Sequence, residues 1–209
     1  GIERVIGSAF NDVLMGSSAF REYFVAGAGN DVIDGGFGFD TVDYSAATSS
    51  ITVNMAAGTV TGDASVGTDT LRGVEVVIGT AYADTYDATG YTAYYVNNPS
   101  ANADNGIYGQ KYNQFEGGAG DDTIIGNGDT RISYQHASEA VTVNLAQGIA
   151  VGGPSVGTDH FSGVNQVIGS AFGDTLIGGA SFVAPGYSGS DQFYGLGGND
   201  FIQGGSEFD

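Results

Sequence analysis

The sequence predicts an all-β protein, a parallel β-roll or β-helix solenoid of stacked 18-residue coils with irregular insertions. Three observations predict it. A nine-residue register recurs, written G-G-x-G-x-D-x-U-x with U a large apolar residue. It fits Gly35–Asp43 cleanly, and Ala26–Asp34, Gly117–Ile125, Gly186–Tyr194 and Gly195–Gln203 with one or two substitutions. Longer segments return at multiples of 18: "GIERVIGSAFNDVLMG" at 1, "GVEVVIGTAYADTYDA" at 73 and "GVNQVIGSAFGDTLIG" at 163, offsets of 72 and 90 residues. Nothing carries the period of a helix of ordinary length.

Each element follows from that register. Six residues carrying three glycines cannot hold a strand, so they turn. The x-U-x remainder is a three-residue strand whose central side chain points inward. Two nonapeptides close one coil, and only a stack of coils buries a continuous row, here Ile33, Val42, Ile124, Phe193 and Ile202. "GSAFND", "GTAYAD" and "GSAFGD" are degraded turns that keep Asp12, Asp84 and Asp174 at the sixth position. The block "YSAATSSITVNMAAGTVTGDASVGTDTLRG" at 44 returns at 134 as "YQHASEAVTVNLAQGIAVGGPSVGTDHFSG". Within it Ile51–Met55 and Val141–Leu145 alternate apolar with polar, as longer half-buried strands should. The additional 18 residues of the second offset fall between Ala88 and Tyr108, an inserted layer or an excursion of the same length. The tyrosines of "YDATGYTAYYVNN" in and before it suit a cap on the insertion's own small core, or a stacking surface for sugar rings. The expected organisation is one array with pseudo-repeats 1–72, 73–162 and 163–209. The pattern starts and stops in mid-repeat, Asp209 corresponding to Asp40, which reads as a segment of a longer array.

Composition narrows the function. Of 209 residues 37 are glycine, yet 41% are hydrophobic and there are 12 Phe and 12 Tyr, so the chain folds rather than staying disordered. Three prolines exclude a collagen or polyproline reading. There are 24 acidic residues against 5 basic, a net charge of −19, which leaves no footprint for nucleic acid. Self-repulsion on that scale opposes a compact state unless counter-ions sit inside it. No cysteine is present, and the two histidines, His136 and His160, fit no zinc spacing. No apolar run approaches the roughly 20 residues of a membrane helix.

Stacked turns place the sixth-position carboxylate of one coil beside that of the next. Two like charges at that range repel, and a divalent cation turns the repulsion into shared ligation. Calcium takes six to eight oxygens in flexible geometry, and glycine turns expose the carbonyls that could supply them.

The nonapeptide resembles the RTX (repeat-in-toxin) calcium-binding motif of secreted bacterial proteins, and the block at 44 and 134 is similar to a segment common in such proteins. The resemblance implies several Ca2+ ions, held by carbonyls from the first four positions of each turn and by aspartates shared between turns two repeats apart. Carried over, the carboxylate pairs are Asp12 with Asp31, Glu22 with Asp40, Asp84 with Asp122, Asp174 with Asp200, and Asp191 with Asp209. The implied turn glycines are Gly27, Gly29, Gly35, Gly36, Gly38, Gly117, Gly118, Gly120, Gly198, Gly204 and Gly205. The second edge of the middle unit departs from the motif. Asn113 stands where Asp191 stands, and a one-residue deletion brings Thr130 to the sixth position with Asp129 beside it. Glu207 replaces Gly38 in the last turn. Asp69 and Asp159, in the two "SVGTD" segments, are candidate ligands of a degenerate site or turn caps.

The resemblance implies a calcium-dependent structural segment, not an enzyme, of an extracellular or cell-surface bacterial protein such as an adhesin, surface layer or filament, exported by a type I system. The alternative is a carrier or carbohydrate-binding module attached to a secreted enzyme. Candidate partners beyond calcium are neighbouring copies of the chain and cell-surface polysaccharide.

Overall fold

In a computed structural model of the chain, residues 4–17, 21–36, 38–91, 112–179 and 191–205 are described. The x-U-x segments form strands, and the strands stack. In chain order they are β1 (Arg4–Ile6), β2 (Val13–Ser17), β3 (Tyr23–Val25), β4 (Val32–Gly36), β5 (Thr41–Asp43), β6 (Thr52–Asn54), β7 (Thr59–Thr61), β8 (Thr68–Arg72) and β9 (Val76–Ile78). They continue as β10 (Thr85–Asp87), β11 (Asn113–Glu116), β12 (Thr123–Ser133), β13 (Thr142–Asn144), β14 (Ile149–Val151), β15 (Thr158–Ile168), β16 (Thr175–Ile177), β17 (Gln192–Tyr194) and β18 (Phe201–Gln203). The described residues contain no helix.

The pairings resolve two faces of a roll. The first runs β1-β3-β5-β9-β11, then the C-terminal halves of β12 and β15, then β17, parallel throughout. The second runs β2-β4-β8-β7-β6-β10, the N-terminal halves of β12 and β15, then β14-β13-β16-β18. Strands β12 and β15 turn the corner between the faces, where their mutual register shifts after Ile125.

The second face departs from the expected regular stack. The segments at 51–55 and 141–145 supply only the three-residue strands β6 and β13, which open the antiparallel excursions β6-β7-β8 and β13-β14-β15. The reversal is local chemistry. Asn54 Oδ1 accepts from the Ala57 amide at 2.9 Å, and Gly58 takes φ 63°, where a side chain would be strained. The alternation of Thr52, Val53 and Asn54 suits either strand direction, and the turn decides.

Inward side chains form one core that includes Phe24, Ile33, Val42, Val53, Tyr86, Phe115, Ile124, Val167 and Leu176. Each large apolar side chain contributes about 1.5–3 kcal/mol on burial. Tyr86 stacks on Phe115 with ring centroids 4.7 Å apart. Tyr86 and Tyr91 are buried in this same main core rather than in a separate core of the insertion; Tyr94, Tyr95 and residues 92–108 lie outside the described residues. Of the predicted row, Ile33, Val42 and Ile124 are buried and Phe193 is partly so. Ile202 is 49% exposed, because among the described strands β18 pairs with β16 alone.

Candidate metal centre

At the corner leading from the first face to the second, sixth-position carboxylates climb the stack as ladders. The amide of Asp12 donates to Asp31 Oδ1 at 2.9 Å, and that of Asp31 to Asp69 Oδ1 at 2.8 Å. The middle unit repeats this from Asp84 to Asp122 at 2.8 Å and from Asp122 to Asp159 at 3.0 Å. In the last unit Asp174 donates to Asp200 Oδ1 at 3.0 Å. The "SVGTD" aspartates close the first two ladders, since Oδ2 of Asp69 and of Asp159 accepts a tyrosine hydroxyl, from Tyr44 and Tyr134 respectively, each at 2.9 Å. Each new ladder starts on the residue just before an excursion strand: the Ile51 amide donates to Asp84, and the Val141 amide to Asp174.

At the opposite corner the Glu22 amide donates to Asp40 Oδ1 at 2.7 Å, and the Asp40 amide to Glu75 Oε2 at 3.0 Å. Glu75 has no place in the nine-residue register, because its turn is shortened to Gly73-Val74. Its signal is an acid directly before an x-U-x strand, the position Asp40 holds before β5. Beyond it this ladder becomes neutral. Asn113 pairs in register with Thr130, whose hydroxyl donates to Asn113 Oδ1 at 3.0 Å, and Tyr86 donates to the same oxygen at 2.8 Å. Asp129 instead accepts from Gln166 at 3.2 Å. At this level a hydroxyl–amide contact joins Asn113 to Thr130, and Asp129 reaches Gln166. Asp191 Oδ2 accepts from the Gly179 amide at 2.8 Å, while Glu207 and Asp209 lie outside the described residues.

The turns are of two kinds. Glycine turns take positive φ at their second and fourth positions, as at Gly36 (82°) and Gly38 (142°), conformations that only glycine adopts at little cost. Gly27, Gly29, Gly118 and Gly120 do the same, and in the turn at 195–200 Gly198 does so while Leu196 itself takes φ 64°. Degraded turns carry a hydroxyl at the second position, and it closes on the turn's own carboxylate. The amide and hydroxyl of Ser8 both donate to Asp12 Oδ2, at 2.6 and 2.8 Å. Thr80 and Ser170 treat Asp84 and Asp174 alike, with amide bonds to Oδ2 of 2.6 Å.

Glycine turns leave their carboxylates incomplete. Oδ2 of Asp31, of Asp40 and of Asp122 is buried without a hydrogen-bond partner. Glu22 stands between the two kinds: the amide and hydroxyl of Ser17 both donate to its Oε1, yet its Oε2 is buried and unpartnered. Each such oxygen costs on the order of 1–3 kcal/mol. Beside it lies a cradle that a side chain would fill. A Cβ on Gly35 would sit 2.7 Å from Asp40 Oδ2 and collide with the Gly73 carbonyl oxygen. On Gly16 it would lie 3.0 Å from Glu22 Oε2 and strike the Gly35 carbonyl, and on Gly117 it would run into Asp122 Oδ2. A turn's own carboxylate and the next turn's carbonyl thus converge on one small space.

Burial, with the charges of Glu75 and Glu22 adding to it, pushes Asp40 up to about 8. Asp122 is likewise pushed to about 8 by burial and by neighbouring Asp159, and Glu75 to about 7 by burial. Asp69 and Asp159 rise to about 6 through burial, against the hydrogen bonds they accept. Burial also raises Asp31 and Asp84. Without a cation these corners hold protons. No cluster of three His, Cys, Asp or Glu occurs among the described residues. An ion here would take a few carboxylate oxygens and main-chain carbonyls, an all-oxygen donor set that suits calcium.

Comparison with known families agrees. The profile of the RTX calcium-binding nonapeptide repeat matches four times, at residues 23–42, 111–130, 161–181 and 185–209. The chain carries RTX calcium-binding repeats. RTX repeats bind several Ca2+ ions, are structural rather than catalytic, and are typical of secreted bacterial proteins. Such repeats imply a calcium-binding segment of a bacterial protein. No curated protein matches the chain. The remaining candidates take ordinary places. His160 is exposed, and His136 lies with Nδ1 2.7 Å from Glu116 Oε1. Asp121 accepts from the Thr158 amide at 2.8 Å, so Asp121 and Asp122 belong to different hydrogen-bond systems and form no acid–base pair.

Proposed function

We propose that the chain is a calcium-folded structural segment of a secreted or cell-surface protein, of the adhesin, surface-layer or filament kind, exported through a type I system. The four buried, unpartnered carboxylate oxygens carry this reading. Asp31, Asp40, Asp122 and Glu22 hold calcium with carbonyls of the glycine turns, and Asp12, Asp84, Asp174, Asp191 and Asp200 flank or complete the sites. Residues 1–209 act as one array of three pseudo-repeats that scaffolds rather than catalyses. Calcium supplies the positive charge that lets buried carboxylates ionise together.

The sites exist only between stacked turns, so binding energy becomes folding energy. Each site adds about 2.7 kcal/mol at a hundredfold excess over Kd. Extracellular modules bind calcium at roughly 10⁻⁴–10⁻³ M. In that range the chain remains open inside the cell, threads a narrow export channel, and folds outside. Small-angle scattering in EDTA and then in calcium, with native mass spectrometry counting ions, tests the reading. The expected result is an expanded apo chain that compacts as several ions load. A compact, strand-rich apo state with an unchanged radius of gyration overturns it.

A further inference from the structure

The outward surface of the first face carries a groove that calcium does not explain. Its larger lobe, about 710 Å³, is lined in part by Arg21, Phe39, Gln114, Arg131 and Gln135. A smaller lobe of about 320 Å³ continues it, and Tyr23, Ile78, Glu116 and His136 line both.

Three of the five basic residues of this acidic chain stand at this surface, each over an aromatic ring. Arg4 lies 5.3 Å over Tyr23, and Arg21 lies 5.7 Å over Phe39. Arg131 sits between Tyr112 and Tyr194, at 4.8 and 5.2 Å. With the rings of Phe39 and Tyr112 tilted at 39° and 5.0 Å apart, Arg21, Phe39, Tyr112, Arg131 and Tyr194 form one continuous run of contacts. Despite 24 acidic residues in the chain, the one ion pair among the described residues is His136–Glu116, so none of these arginines is paired with a described carboxylate. Arg131 is steadied by a neutral group, Gln166 Oε1, through Nε and Nη2 at 3.2 and 3.1 Å. A guanidinium held over an aromatic ring keeps N–H donors free at its edges for a planar anion. Glu116 does not oppose such an anion freely, because Ser133, Gln135 and His136 all donate to it.

We infer that this groove binds an acidic saccharide, a chain of uronate-type sugars whose carboxylates meet Arg21 and Arg131. Flat aromatic faces and amide side chains suit the C–H faces and hydroxyls of sugar rings, and the guanidinium forks suit their carboxylates. The inference rests on the calcium reading above, because Glu22 lines the groove and belongs to a corner that calcium would neutralise.

The test is calorimetry on the full, calcium-loaded chain at fixed free calcium, with native mass spectrometry reporting ion loading separately. The probes are a galacturonate tetramer, the same tetramer with its carboxyls reduced to alcohols, and an oligoglutamate of equal charge. The acidic tetramer is expected to bind, and the reduced one at least about tenfold more weakly, the scale of one charge-assisted hydrogen bond. Arg21→Ala and Arg131→Ala are each expected to weaken the acidic tetramer by about tenfold with calcium loading unchanged. Arg131→Lys, which keeps the charge and loses the planar fork, should fall between. If Arg131→Ala fails to load calcium, the exposed Arg21 carries the test alone. Absence of acidic-tetramer binding, equal binding of the reduced sugar, or indifference to Arg21→Ala in a calcium-loaded protein overturns the inference. So does oligoglutamate binding as well as the uronate, which would point to an acidic peptide instead. A chain that loads no calcium refutes the earlier reading by its ion count, whatever the sugar does.

Discussion

The turn at residues 7–12 and the turn at 26–31 stack against each other and present the same carboxylate at the same place, yet they solve its burial differently. Ser8 closes on Asp12 with its own amide and hydroxyl. The glycine turn has no hydroxyl to offer, and Asp31 Oδ2 stays buried and unpartnered. The arrangement recurs where Thr80 closes Asp84 and the glycine turn after it leaves Asp122 open. The stacking is close enough that a Cβ on Gly29 would lie 2.7 Å from the Phe10 carbonyl carbon. In these two pairs one turn is complete by itself and its neighbour needs a cation. At the opposite corner Glu22 and Asp40 both keep an unpartnered oxygen, although Ser17 closes on Glu22.

The sharpest way to break this contrast is to remove a conditional carboxylate. Asp31→Ala and Asp40→Ala should each lose about 2 kcal/mol more at a hundredfold calcium excess than at calcium near Kd, because the bond that each Oδ1 accepts is lost in both conditions. Melting curves in both conditions check this; an equal loss in each would make these aspartates ordinary turn caps. Gly117→Ala should imitate them, because the added methyl occupies the space beside Asp122 Oδ2.

Proton linkage reports the same asymmetry. The folded-state values of Asp40 and Asp122, about 8, and of Glu75, about 7, lie above those of an unfolded chain, about 4. Between those limits the calcium-free stack holds protons that the unfolded chain has released. Its stability is therefore fully present below about pH 4 and declines as pH rises to about 8. In calcium the slope should reverse, because the ion displaces those protons and binds better as pH rises. Melting midpoints in excess calcium should rise with pH across this window; a fall would contradict the displacement of protons by the ion.

Tyr134→Phe strands Asp159 Oδ2 at the closed end of its ladder and should cost about 1–3 kcal/mol with or without calcium. Thr80→Ala removes a hydroxyl bond from a complete turn, and a loss of about 1 kcal/mol, equal in both conditions, is expected in chemical denaturation. A calcium-dependent loss there would place an ion at Asp84 as well. The smallest effect belongs to Asp63→Ala, whose side chain bonds only to exposed Ser65 and Thr48. It should stay within about 0.5 kcal/mol and leave calcium affinity unchanged in titration.

The roll and the corner positions of Asp31, Asp40 and Asp122 were legible because glycine turns leave a fixed nine-residue mark. The antiparallel excursions were not. Thr52-Val53-Asn54 alternates identically whichever way its neighbour runs, and only the bond from Ala57 to Asn54 reverses the chain. Glu75 was hidden by a shortened turn that breaks the register while preserving the corner. The closure of Ser8 on Asp12 looked like decay of a motif, when it is a substitution of hydroxyl for cation. The groove left no trace, since outward positions on strands obey no repeat; Phe39, Tyr112 and Arg131 meet only through side-chain contacts.

The excursions have one more consequence. Each adds two rows to the second face and none to the first, which leaves eight rows opposite twelve among the described strands. At about 4.8 Å per row, the second face gains roughly 10 Å with every excursion. Two faces joined at every corner cannot differ in length and remain straight. The rod must bow toward its shorter side, like masonry cut in wedges, and a succession of such units traces an arc.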